Sequence, residues 1–164
     1  MTIGLCCLTQ VGAKALFGIK LPEQDQLAAI RQLAGWNWDF VKAIGIVLIA
    51  APVIEELVFR LVLFRLPDWA IGRFVRSAIP TVILAVLSSA VFSAVHYLDS
   101  VTMKATGRLA WLPLSNAFLA LAFFGGAQCW LYRKTKRIWC PMLNHALFNL
   151  ANLVLMFVVS ATAS

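Results

Sequence analysis

Six polar residues that could take part in proton transfer or charge stabilisation lie within apolar runs of this chain: Glu55, Glu56, Arg60, His96, His145 and Asn149. Glu56 and Arg60 stand at i and i+4 with the acid first, so on a helix they are neighbours and neutralise each other. Glu55 is rotated about 100° from Glu56 and has no partner within its own helix. An unpaired carboxylate in low dielectric has the profile of a general base, able to take a proton from water. His96 closes the run Phe92-Ser93-Ala94-Val95-His96, while His145 and Asn149, again at i and i+4, share one helix face. Glutamate and histidine activate water, and imidazole and carboxamide donors stabilise an oxyanion. The set therefore reads as a hydrolytic site.

Each residue has a plainer explanation on its own. Glu56 and Arg60 could be a buried pair fixing helix register, a single histidine a satisfied core residue, and an asparagine a polar contact between helices. Those explanations do not cover the joint occurrence. A charge at the centre of a membrane helix costs about 2.5 to 3.5 kcal/mol on insertion scales, so ionisable residues in such helices are functional candidates by default. No G-x-S-x-G or H-E-x-x-H pattern occurs, which argues against a serine-elbow hydrolase and a zincin. Glu55, His96 and His145 are a candidate ligand set for zinc, but a Glu-His site with an oxyanion hole needs no metal, and no cofactor is firmly assigned. Cys6, Cys7, Cys129 and Cys140 have no metal-binding spacing and read as small apolar residues.

The elements that must position these side chains are helices in lipid. The chain is 62% hydrophobic and 13% charged with a mean hydropathy of +0.85, far from a soluble composition. The expected fold is all-α, a polytopic transmembrane bundle of about four core spanning helices plus an N-terminal interfacial or partial helix. Residues 1–38, broken by Pro22, Glu23, Asp25 and Arg31 and carrying Trp36 and Trp38, form the lead-in. Residues 39–164 form the core, with spans expected at about 39–66, 78–98, 109–132 and 138–160. Pro67, Asp68, Gly72, Arg73 and Arg76 read as a polar connector after the first span.

The net charge of +7 sits in short clusters between apolar runs rather than on a basic face, so nucleic acid is not the expected partner. Arg65, Arg73 and Arg76, and then Arg133, Lys134, Lys136 and Arg137, outweigh Lys104 and Arg108. This places the heavier connectors in the cytoplasm of a multi-pass protein, with a prokaryotic cell membrane as the expected setting.

Three motifs in order carry a resemblance. An E-E-x-x-x-R motif stands as Glu55-Glu56-Leu57-Val58-Phe59-Arg60, an F-x-x-x-H motif as Phe92 to His96, and an H-x-x-x-N motif as His145 to Asn149. The pattern resembles the CPBP family, also called Abi or CAAX-protease-and-bacteriocin-processing proteins, whose founding members are the type II CAAX prenyl endopeptidases. The resemblance implies intramembrane peptide-bond cleavage, with a membrane protein or lipidated peptide as substrate. It casts Glu55 as the base, His96 as its helper, His145 and Asn149 as oxyanion donors, and Glu56 with Arg60 as structural support. The alternative is a non-proteolytic scaffold or bacteriocin self-immunity protein of the same fold. A proton-coupled transporter is a weaker third reading, since no inverted repeat is visible. Oligomeric state is left open.

Overall fold

The computed structural model describes residues 30, 37–75, 77–98 and 116–162, and all of its elements are helices. Cys6, Cys7, Trp36, Lys104 and Arg108 lie outside the described residues, as does most of the lead-in. Helix α1 covers residues 38–72 without interruption. Asn37 starts it by accepting a hydrogen bond from the Phe40 N–H at 2.8 Å, a side-chain N-cap. Helices α2 (Ile79–Leu98), α3 (Asn116–Thr135) and α4 (Trp139–Thr162) follow, close to the expected second and fourth spans.

Helix α1 alternates between α and π geometry: Trp38–Gly45 is α, Ile46–Ala50 π, Ala51–Glu56 α, Leu57–Arg65 π and Leu66–Gly72 α. Each π segment stops just short of a proline, Pro52 or Pro67. A proline inside a helix clashes with the preceding turn and lacks an N–H, and a locally wider turn relieves that crowding. The expected connector is corrected here. Pro67 and Asp68 are helical: the wide turn before Pro67 makes room for its ring, and Asp68 lies 3.9 Å from Arg65 while accepting from the Thr81 hydroxyl of α2.

Packing between helices runs through small and polar residues. A Cβ placed on Gly125 of α3 would lie 3.1 Å from both the Cα and Cβ of Ser89 on α2, so the two helices approach closely where one has no side chain and the other a small one. Ser88 donates to the Phe59 carbonyl of α1 and Ser93 to the Phe118 carbonyl of α3, both at 2.8 Å. Buried Gln128 donates to the Pro141 carbonyl at 3.1 Å and accepts from Asn144 at the same distance, tying α3 to the first turns of α4. Lys136 takes φ 57° in the turn between them, the left-handed position that commonly ends a helix.

The outside of the bundle is apolar, and inside it charged and polar side chains lie buried beside clusters of phenylalanine and leucine. Ile49, Val86 and Phe123 are 67%, 61% and 75% exposed, whereas Glu56, Arg60 and Gln128 are 0% exposed. Two of the described helices, over Ile79–His96 and Trp139–Val158, are long and apolar enough to cross a membrane.

Candidate active site

Helix α1 brings the E-E-x-x-x-R residues to the centre of the bundle. The Arg60 Nε–H donates to Glu56 Oε2 at 2.7 Å with both side chains fully buried, the i, i+4 pair expected from the sequence. The other Glu56 oxygen, Oε1, accepts from His145 Nδ1 at 2.9 Å. Arg60 also reaches Cys129 Sγ on α3 from Nη1, at 3.7 Å, and its face lies over the Phe92 ring. Glu56 is thereby the junction of three helices: its charge is matched by Arg60 from its own helix, it is hydrogen-bonded to His145 of α4, and Arg60 extends the contact to α3.

Glu55 points elsewhere, as its 100° rotation requires, and meets both histidines. Its Oε2 is 3.4 Å from His96 Nε2 and 3.7 Å from His145 Nε2, is buried, and makes no hydrogen bond. Counted in helical rise alone, His96 lies about 26 Å from the start of α2 and His145 about 9 Å from the start of α4. They nonetheless meet at one Glu55 oxygen, which stands between α2 and α4.

The ring partners fix how each imidazole is protonated. His96 Nδ1 lies 2.8 Å from the Phe92 carbonyl, which can only accept, so Nδ1 carries the hydrogen and Nε2 is turned toward Glu55. His145 Nδ1 donates to the Glu56 carboxylate, so its Nε2 is likewise turned toward Glu55. Both Nε2 atoms therefore face one carboxylate oxygen.

An aromatic wall surrounds the imidazoles. The Phe92 ring is 4.5 Å from His96 and 5.8 Å from His145, and Phe124 is 5.2 Å from His145 and stacked on Phe148 at 4.4 Å. The wall fixes ring orientation and keeps the local dielectric low, so the charged groups inside act on one another strongly. Asn149 sits one turn beyond His145, its Nδ2 donating to the Val47 carbonyl of α1 at 2.8 Å and keeping a second N–H on the same nitrogen. Among the described residues, no group of three or more His, Cys, Asp and Glu side chains is arranged to hold a metal ion.

Five of the six residues singled out in the sequence thus fall on one chain of contacts, Arg60 to Glu56 to His145 to Glu55 to His96, while Asn149 is bonded to the Val47 backbone of α1. Cys129 and Gln128 were not singled out. Cys129 carries no motif, and Gln128 is one amide in an apolar run, so only packing shows what each touches.

No curated protein and no solved structure is significantly similar to this chain. The model of one family does match, type II CAAX prenyl endopeptidase Rce1-like, over residues 37–151. That stretch contains the three motifs and every residue of the cluster around Glu55 and Glu56, and the chain belongs to the Rce1-like family of type II CAAX prenyl endopeptidases.

Proposed function

We propose that the chain is a multi-pass intramembrane endopeptidase that hydrolyses a peptide bond near the C-terminus of a membrane-bound, lipidated substrate. The observation that carries this reading is the buried, unbonded Glu55 Oε2 between the Nε2 atoms of two histidines whose other nitrogens are already anchored. A scaffold or immunity protein has no evident use for such an arrangement. The apolar exterior and two helices long and apolar enough to cross support a membrane setting, with the basic connectors taken as cytoplasmic.

The reaction uses this chain's own groups. A water held between Glu55 and His96 gives a proton to the Glu55 carboxylate as its oxygen attacks the substrate carbonyl carbon. Negative charge develops on the carbonyl oxygen and receives hydrogen bonds from His145 Nε2–H and Asn149 Nδ2–H. His145 is the imidazolium in this step, its Nδ1–H on Glu56 as counter-ion. The tetrahedral intermediate then collapses, the C–N bond breaks, and Glu55 passes its proton to the leaving amine. Glu56 and Arg60 hold His145 and never touch the substrate. Glu55, His96 and His145 are also the residues that would hold a zinc ion, which would act there as a Lewis acid; the steps above use only the chain's own groups.

Purified protein in liposomes is to be incubated with a panel of prenylated and unprenylated membrane peptides, with and without chelator. Cleavage that survives the chelator supports the mechanism as written. Cleavage abolished by chelator and restored by zinc would replace it with a metal mechanism, and no cleavage of any member would favour a binding or immunity role.

A further inference from the structure

Asn149 is attached to the bundle at one atom of α1, the Val47 carbonyl oxygen, and the register of α1 explains why that atom is available. Within Ile46–Ala50 the helix bonds run from the N–H of residue i+5 to the carbonyl of residue i. The last of them is the Ala51 N–H to the Ile46 carbonyl. The next bond in this register would run from residue 52 to Val47. Residue 52 is proline, fully buried and without an N–H, so the Val47 carbonyl has no helical donor. A buried carbonyl without a donor is costly, and the Asn149 amide supplies one from α4.

We propose that Pro52 is a positioning residue for Asn149. By withholding an N–H it leaves the Val47 carbonyl to hold one Asn149 N–H, which fixes the carboxamide with its second N–H toward the reacting centre. The catalytic part of this proposal rests on the endopeptidase reading; the hydrogen-bond part does not. Alanine at 52 would restore the backbone donor, let α1 satisfy Val47 internally, and free Asn149 to rotate.

Two replacements separate the N–H from the loss of the ring: Pro52→Ala, and lactic acid in place of Pro52 by nonsense suppression, which has the alanine side chain but an ester oxygen where alanine has its N–H. In the liposome assay Pro52→Ala should lower kcat by about tenfold or more with KM changed less than about threefold, a donor effect confined to the transition state. The lactic acid variant should stay within about twofold of the native rate. Equal activity of the two variants, high or low, would overturn the proposal. A stability cycle tests the same bond without substrate: Asn149→Ala should lower Tm by about 2–6 °C in the native chain and by less than half of that beside Pro52→Ala, because Val47 then has another donor. An equal loss in both backgrounds would refute the link even if the chain cleaves peptides. A halved loss would support it even if it cleaves none.

Discussion

Removing Glu56 while leaving Arg60 in place should be among the most damaging single changes to this protein. Glu56 uses Oε2 on Arg60 at 2.7 Å and Oε1 on His145 at 2.9 Å, and its side chain and that of Arg60 are 0% exposed. Glu56→Ala strands a guanidinium in the bundle interior, where breaking a buried pair from one side costs about 3–5 kcal/mol. Arg60 cannot easily escape, since Nη1 is on Cys129, Nη2 is already without a hydrogen bond, and Phe92 lies under the guanidinium. Glu56→Gln keeps an acceptor for His145 but not the charge, so its cost should be smaller, about 1–3 kcal/mol. The informative variant is Glu56→Ala with Arg60→Met, which removes both charges. Replacing a whole buried pair by apolar groups is often nearly neutral, so most of the loss should return, apart from about 1–3 kcal/mol for the His145 Nδ1–H left without an acceptor. Unfolding in mixed micelles followed by tryptophan fluorescence, with Tm in liposomes as a second measure, gives the three values. A Glu56→Ala cost below about 1 kcal/mol, or a double variant less stable than the single one, would refute the claim that the pair is buried and coupled.

Further expectations concern the helix contact and the site. Gly125→Ala should cost about 1–3 kcal/mol in the same unfolding assay, because the new methyl meets Ser89 backbone that cannot yield without separating α2 from α3. Gly126→Ala, where the nearest atom is the Ser89 hydroxyl at 3.8 Å, should cost little; equal costs would mean the helices are not in the contact described. His145→Ala removes an oxyanion donor, and kcat should fall by about 10²- to 10³-fold while KM changes little. A rise in KM with kcat preserved would instead assign His145 to substrate binding.

Much of this arrangement was legible in the residue order because its logic is local. The i, i+4 spacing of Glu56 and Arg60 predicts their pairing on any helix, and the one-residue offset of Glu55 predicts that it faces elsewhere. The convergence of His96 and His145 follows less directly, since they sit at different distances along α2 and α4 and meet only through the way those helices pack. The Asn149 contact with Val47 was hidden, because it exists only through a π register that ends at Pro52. The helical Pro67 and Asp68 were misread as a connector because proline and a charge after an apolar run signal an end. What keeps the helix going there is a wide turn before Pro67 and the Asp68 contact with Thr81, neither visible one residue at a time.

The most direct test of the central claim is single-turnover cleavage of a membrane peptide in liposomes by the native chain and by Glu55→Gln. The glutamine keeps the side chain's size but cannot accept the proton of water. Glu55 Oε2 lies 3.4 and 3.7 Å from two imidazole nitrogens, so the melting temperature is measured alongside and rates are compared where both proteins are folded. The account predicts a loss of about 10²- to 10⁴-fold in the cleavage step of the folded variant. Cleavage by Glu55→Gln at the native rate would contradict it and remove Glu55 from the chemistry.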